Sequence, residues 1–308
     1  MMGPIAPDQL DAWCRRWLGA GPAGVLFEAG HLSAVVGLRL ADGREVVVKA
    51  RSPADRLAAC CLVQHRLWAA GFPCPRPLAG PAPLGALLAT AETCVPGGAQ
   101  LAPGPDSPRL FAEALARLVA LAPPPGVLPA LDPTPAWVCW DHDQLGIWPI
   151  PDDRDADLNA QPGPDWLDDL GRRARRRLAR CDLPPVVGHG DWESQNLRWR
   201  GRRLHVVHDW DSAVARPEAA LAGTAAAVFT ATGAPLTDAT LTESAAFLDA
   251  YAVARGRAWD AEERQVAWVA GLWVRAFNAK KAVATGDARA ILDRLAAEAG
   301  ERLRLAGA

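Results

Sequence analysis

Lysine is almost missing from this chain. Of 308 residues only Lys49, Lys280 and Lys281 are lysine, and arginine carries the remaining basic charge. Net charge is close to absent as well, at −2, so nothing draws the chain to nucleic acid or to an anionic membrane surface. No apolar run reaches the roughly 18 residues of a membrane-spanning helix. The opening MMGPIAPDQLDAW lacks a basic region followed by an apolar core, so no secretory signal is expected. The seven cysteines form neither a CxxC pair nor a Cys/His ligand spacing, which fits reduced thiols and a cytoplasmic setting. Cys60-Cys61 is expected to serve as a small apolar pair in a helix. No internal repeat or low-complexity tail is evident. What remains is a chain long enough for a large core and two lobes.

The residues that carry chemistry are concentrated in VVGHGDWESQNLRWRGRRLHVVHDWDSA, residues 186–213. Asp191 follows His189-Gly190, and Asn196 lies five positions beyond it. Arg200-Gly201-Arg202 breaks two short strand-like runs, and the second run delivers Asp209. Phosphoryl transfer calls for such a set: a residue that aims the acceptor hydroxyl, and hard oxygen ligands for Mg2+. Asp191 is assigned to the hydroxyl as base or orienter, and Asn196 and Asp209 to the metal. Any one of these residues alone is more often a turn former; the ordered constellation is the specific signal. His189 is expected to brace the loop. A zinc site from His189, His205 and His208 lacks a usual ligand spacing.

Upstream, Pro7–Leu18 has helical periodicity. Val25–Glu28, Ser33–Leu40 and Glu45–Ala50 are predicted strands, the last two joined by an Asp-Gly turn. Ala29–Ser33 is a turn whose backbone N–H groups suit phosphates, although a plain hairpin would look the same. Lys49 ends the EVVVK strand. Alone it reads as a solvated strand end; with the downstream motif it reads as a phosphate grip. Helices are expected over 53–70, ended by Gly71 and Pro73, and over 108–121, 166–180, 217–230, 237–255, 261–285 and 287–305. Leu84–Cys94 reads as one strand before the Val95–Gly98 break. The Arg-rich 166–180 segment has an acidic start, so a solvated helix is expected in place of a nucleic-acid contact. Trp137, Trp140 and Trp148 lie near Asp141, Asp143, Asp152, Asp153, Asp155 and Asp157. Such a mixture suits a cationic ligand and equally a packed surface loop. Trp268, Trp273 and Phe277 have core spacing, while Asn278, Lys280 and Lys281 are candidates for the edge of an acceptor cleft.

His189-Gly190-Asp191 with Asn196, then Asp209-Trp210 after a hairpin, resembles the aminoglycoside phosphotransferase and choline kinase-like family. Lys49 and the Gly71-x-Pro73-x-Pro75 exit are similar to it too. The resemblance implies a bilobal, protein-kinase-like α+β fold, with a β-rich nucleotide lobe over residues 1–98 and a mostly helical catalytic lobe over 99–308. It implies ATP- and Mg2+-dependent transfer of a γ-phosphoryl group to a small-molecule hydroxyl. Lys49 would hold the α- and β-phosphates, the turn at Ser33 would cover them, and backbone near Ala91 and Thr93 would meet adenine. One feature departs from the pattern. Kinase folds place a Glu in the helix after the lysine strand, and no Glu occurs between Arg51 and Ala91. Gln64 or His65 is the expected neutral substitute, or else nucleotide and Asp209 alone hold the lysine. The missing Glu keeps open a binding module without turnover; Asp191, Asp209 and a histidine keep open a metal-dependent hydrolase.

Overall fold

A computed structural model describes residues 5–30, 32–153, 156–233, 238–286 and 288–308. His31 of the phosphate turn, Asp155, and the helix starts expected at Thr237 and Asp287 lie outside these residues.

The N-terminal region is an antiparallel sheet of five strands in the order β1-β2-β3-β5-β4. Its strands are β1 (Pro22–Gly30), β2 (Ala34–Leu40), β3 (Glu45–Arg51), β4 (Pro77–Leu84) and β5 (Leu87–Thr93). Strand alternation gives the sheet two different faces. Val46, Val48, Ala50, Ala89 and Ala91 point to one side and meet Leu10, Trp13, Cys14 and Leu18 of helix α1 (Pro7–Leu18) in a small core. Val47, Lys49, Thr90 and Glu92 occupy the other side, toward helix α2 (Arg56–Ala69) and the cleft. The strand expected over 84–94 is β5, which starts at Leu87; the turn before it pairs it with β4, a further strand over Pro77–Leu84.

Helix α2 belongs to a different core from the sheet it lies against. Its Ala59, Cys60, Val63 and Leu67 join Phe72, Trp210 and the large-lobe helices in one cluster. Phe72 meets Trp210 edge-on at 6.0 Å, and the Arg56 guanidinium donates to the Ala213 carbonyl. Cys60 is buried in that cluster, while Cys61 is only half-buried.

The C-terminal region is mostly helical: α3 (Ser107–Leu121), α4 (Asp165–Leu178), α5 (Glu218–Val228), α6 (Leu241–Ala254), α7 (Ala261–Thr285) and α8 (Arg289–Ala306). Thr240 and Asp260 start α6 and α7 with reciprocal capping boxes to Glu243 and Glu263, which satisfies N–H groups that a helix start leaves open. Helix α5 is small and apolar all round, which lets α7 approach closely. A Cβ at Gly223 would lie 1.9 Å from the Ala267 carbonyl oxygen. Trp268, Trp273 and Phe277 of α7 are core residues, as their spacing predicts. No helix among the described residues is long and apolar enough to cross a membrane.

Candidate active site

The 186–213 segment folds into two small ribbons that bring its acidic residues together. Strand β6 (Pro185–His189) pairs with β9 (Ala213–Pro217), and β7 (Leu197–Arg200) pairs with β8 (Arg203–Val207) across the Arg200–Arg203 hairpin. Asp191 leaves the end of β6 and Asp209 follows β8. Gly190 N–H donates to the Ser212 carbonyl at 2.7 Å, which fastens the two loops to each other. Asp209 has φ +62° and is the one non-glycine residue with positive φ among those described. An L residue in that region costs of order 1 kcal/mol or more and is retained where the surroundings impose it.

His189 is the brace. It is 2% exposed. Its Nε2 lies 3.0 Å from the His208 carbonyl, and its Nδ1 accepts the Asp191 N–H at 3.2 Å. This pattern fixes a neutral ring with the proton on Nε2, and burial favours the neutral form by lowering the pKa. Trp192 and Trp210 meet the same ring edge-on at 5.9 and 5.5 Å. Both ring nitrogens are engaged, so His189 has no lone pair for zinc. Among the described residues no group of three or more His, Cys, Asp or Glu is placed to hold a metal.

Asn196 Nδ2 donates to the Asp191 backbone carbonyl at 3.0 Å and to its Oδ2 at 2.7 Å. Both amide hydrogens therefore aim Asp191, and Oδ1 is the Asn196 atom left for another ligand. Burial and then the charge of Asp209 push the Asp191 carboxyl up to about 7. Burial acts on Asp209 in the same direction, but Lys49 chiefly, with Arg51, outweighs it and holds Asp209 below the usual carboxylate range. The two neighbouring carboxyls are thus driven apart in proton affinity. Such divergence is how a site holds one ionised carboxylate beside a proton-accepting one.

Lys49 stands across the cleft from Asp209. Burial alone would lower its pKa, yet Glu92, Asp211 and Asp209 outweigh it and raise it. Its Nζ lies 3.3 Å from Glu92 Oε1. This corrects the expectation of a neutral partner: a carboxylate is present, on β5 instead of on α2. Gln64 does not take its place. Gln64 Nε2 donates to Glu92 Oε2 at 2.8 Å and to the Pro75 carbonyl at 3.0 Å. His65 is exposed and sits 6.1 Å from the Trp68 ring. Asp211, two residues after Asp209, pairs with Arg51 at 2.9 Å.

Other predicted residues sit as follows. Ser33 is half-buried in the bend before β2. Ala91 lies within β5 between β3 and β4. Thr93 donates its N–H to the Arg76 carbonyl, and Cys94 donates its N–H to the Glu45 carbonyl. His205 Nε2 lies 3.0 Å from the Pro96 carbonyl, beside the Gly97-Gly98 break. The tryptophan and acid segment is not an open cage. Trp140 and Trp148 are buried, Asp141 pairs with Arg216, and Asp153 pairs with Lys281. Trp137 is the exception. It is half-buried, and its Nε1 donates to the Gly190 carbonyl at 2.7 Å. Lys280 is fully buried against Asp168, away from any cleft edge.

Sequence reasoning missed Glu92 and Glu193. Glu92 carried a signal, since it is a charged residue inside an otherwise apolar alternation. Glu193 is a buried carboxyl whose pKa burial and Asp191 raise.

A five-stranded small lobe, a helical large lobe, and a lysine facing a His-Gly-Asp loop define the protein-kinase-like phosphotransferase architecture. The chain belongs to the APH phosphotransferase enzyme family, whose sequence profile matches residues 24–265. By class it is a small-molecule kinase. No curated protein matches it in sequence. Several solved structures share the fold at low identity. A choline/ethanolamine kinase family protein from Mesorhizobium loti is 18% identical, with TM-score 0.63, over 96% of this chain and 94% of that one. The amicoumacin kinase hAmiN, in complex with AMP-PNP, Ca2+ and Ami, is 11% identical, with TM-score 0.66, over 97% and 90%. Aminoglycoside phosphotransferase APH(4)-Ia, in a ternary complex with ADP and hygromycin B, is 15% identical, with TM-score 0.58, over 97% and 98%.

Proposed function

We propose that this enzyme transfers the γ-phosphoryl group of ATP, with Mg2+, to a hydroxyl of a small molecule such as an aminoglycoside-like antibiotic, an amino alcohol or a sugar. The observation that carries the reading is the facing of Lys49 and Asp209 beside an Asp191 that Asn196 aims. The boundary between nucleotide and catalytic lobes falls at about Gly98. Nucleotide complexes of the amicoumacin kinase and of APH(4)-Ia support ATP as donor.

Lys49 grips the α- and β-phosphates through its ammonium group. The turn at Ser33 covers them. Adenine meets the chain around Ala91–Thr93 and just beyond, where the N–H groups of Thr93 and Cys94 are already committed and carbonyls or the next residues remain. Asp191 accepts the hydrogen bond of the acceptor hydroxyl, orients its oxygen, and takes its proton as the new bond forms. A carboxyl raised toward neutrality suits that task.

The residues present fit Mg2+. Asp209 is half-buried, its carboxyl is held below the usual range, and it has a single weak side-chain bond from Ser212 Oγ at 3.3 Å. Asn196 offers its amide oxygen. One carboxylate and one amide are a sufficient protein share for an ion that keeps waters and takes phosphate oxygens. When bound, Mg2+ would balance phosphate charge.

The test is ATP consumption with Mg2+ against a panel of hydroxylated small molecules. Asp191→Asn is expected to lose about 10²–10⁴-fold in turnover, the usual worth of a positioned base, with nucleotide affinity nearly unchanged. Normal turnover in that variant would remove the assignment. Saturable MgATP binding without turnover for any acceptor would favour the binding-module reading.

A further inference from the structure

We propose that Glu92 of β5 is the positioning residue that aims Lys49, and that the pair is built within one sheet so that it travels with the nucleotide-binding strands and not with helix α2. The proposal rests on the phosphotransferase reading.

The sheet register places the pair. Val47 stands opposite Glu92 and Lys49 opposite Thr90. Lys49 and Glu92 are therefore diagonal neighbours on one face, within reach of long side chains. Glu92 is 7% exposed and Gln64 is 5% exposed. A buried carboxylate is costly unless its oxygens are bonded. Here Lys49 holds one oxygen and Gln64 Nε2 holds the other. Gln64 contributes a donor, so it serves the carboxylate and not the lysine.

Helix α2 could not hold Lys49 in the same way. Its apolar face lies in the large-lobe core. Arg56 is bonded to the Ala213 carbonyl, and Cys60 Sγ lies 3.7 Å from the Asp211 carbonyl. A carboxylate on α2 would be fixed to the large lobe, and any shift of the small lobe would stretch its bond to Lys49. On β5 the carboxylate and the lysine share a hydrogen-bonded ladder. This carboxylate then reaches the other core only through the Gln64–Glu92 hydrogen bond, from a neutral donor to a charged acceptor, while the Arg51–Asp211 ion pair is a separate tie from β3 to the catalytic loop.

The experiment compares wild type with E92Q, Q64E and the exchanged pair E92Q/Q64E. It reads calorimetric MgAMP-PNP affinity, kcat and KM for ATP, and Tm. E92Q is expected to lose about 10–100-fold in kcat/KM for ATP, at the lower end of what loss of an electrostatic group in a preorganised site produces. Its Tm should also fall somewhat, since the glutamine keeps the shape but offers one acceptor oxygen to the two donors Lys49 and Gln64. Q64E sets two carboxylates side by side and also loses activity. The exchanged pair returns one negative charge to the cluster, one hydrogen bond further from Lys49. It should recover several-fold over E92Q. Unchanged nucleotide affinity and kcat/KM in E92Q would overturn the proposal. So would a lowered Tm without a kinetic change, or an exchanged pair no better than E92Q. Wild type that binds no MgAMP-PNP would instead remove the phosphotransferase reading, before any variant is compared.

Discussion

Two lysines of this protein pair with acids, and they do so in opposite ways. Lys280 is enclosed. Its side chain is 0% exposed, its Nζ lies 2.9 Å from Asp168 Oδ1, and the Gln161 carbonyl accepts a second bond at 3.2 Å. Asp168 also takes the Trp148 Nε1 hydrogen at 2.7 Å, and Trp148 stacks on Trp273 at 5.5 Å. Lys49 has one direct carboxylate partner, at 3.3 Å, and keeps 12% of its side chain exposed toward the cleft. Asp209 and Asp211 attract it further. The enclosed lysine is held by groups that surround it and has nothing further to bind. The open one has a single carboxylate in direct contact and keeps part of its side chain accessible. An ion pair becomes functional when one member is held but not saturated.

The largest effect is expected where the pair is closed. Lys280→Met leaves Asp168, a third exposed, beside an apolar side chain. Removing one member of a buried pair costs about 3–5 kcal/mol; with water and the Trp148 donor still at Asp168, a loss at or below the lower end is expected, which in a chain of this size lowers Tm by roughly 5 °C. Per folded molecule, kcat/KM for ATP should stay within about threefold, for lack of any contact with the cleft. Lys49→Met should behave in reverse. Its kcat/KM for ATP should fall by about 10²–10³-fold, or roughly 3–4 kcal/mol, with a smaller change in Tm because Glu92 keeps the Gln64 donor. Differential scanning calorimetry and initial rates on the same samples decide this. The comparison breaks if both variants lose activity alike at equal folded fraction.

A third effect concerns pH, and it belongs to the open side alone. Burial first, then the charges of Lys49 and Arg198, lower the His208 pKa to about 4 from an ordinary 6.5. Below about 6.5 the unfolded chain takes a proton that the folded protein refuses. Stability from this group is therefore lost as pH falls from about 6.5 toward 4, and the loss levels off below that. Its ceiling is about 3 kcal/mol at 1.36 kcal/mol per unit. Between pH 7 and 5 the raised Asp191 carboxyl acts in the opposite direction, so the change in urea midpoint from pH 7 to pH 5 should shift toward gained stability in His208→Gln relative to wild type, with a remainder from His189, which is also lowered. Lys49→Met should shift it slightly in the same direction, and Lys280→Met should leave it unchanged. The same change in His208→Gln as in wild type would remove His208 as a contributor.

How much of this was legible beforehand depended on how locally each site is written. The Asp191–Asn196–Asp209 group lies within nineteen positions joined by a hairpin, so spacing alone could announce it, and the kinase-like α+β fold followed from its context. The Lys49 site is assembled from positions 49, 64 and 92, on two strands and a helix. Scanning α2 for its missing Glu looked on the wrong element, because only strand register puts residue 92 diagonal to residue 49. The tryptophan segment misled for a similar reason. Trp140 and Trp148 are written beside acids, yet α4 and α7 bury them, and nothing local in the sequence reports that packing. Trp137 carries the same ambiguity with the opposite outcome.

The smallest expected effect tests whether the Lys280 site is closed by more than the lysine. Trp148→Phe removes the indole N–H from Asp168 and keeps an aromatic ring on Trp273. A hydrogen bond to a charged acceptor contributes about 1.5–3 kcal/mol, but Asp168 retains Lys280, so a loss near the lower end, about 1–2 kcal/mol, is expected. A Cβ at Gly171 would lie 2.2 Å from the Trp148 ring, so the ring is held close to the α4 backbone, and the smaller phenyl leaves a gap that adds to the cost. The informative quantity is the coupling between the two substitutions. If Trp148 and Lys280 stabilise the same carboxylate, the cost of Trp148→Phe should differ measurably in the Lys280→Met background, by about 0.5–1 kcal/mol, because the two donors share one acceptor. Strict additivity would mean that the tryptophan acts through packing alone, and the contrast with Lys49 would then rest on enclosure of the lysine without a shared network.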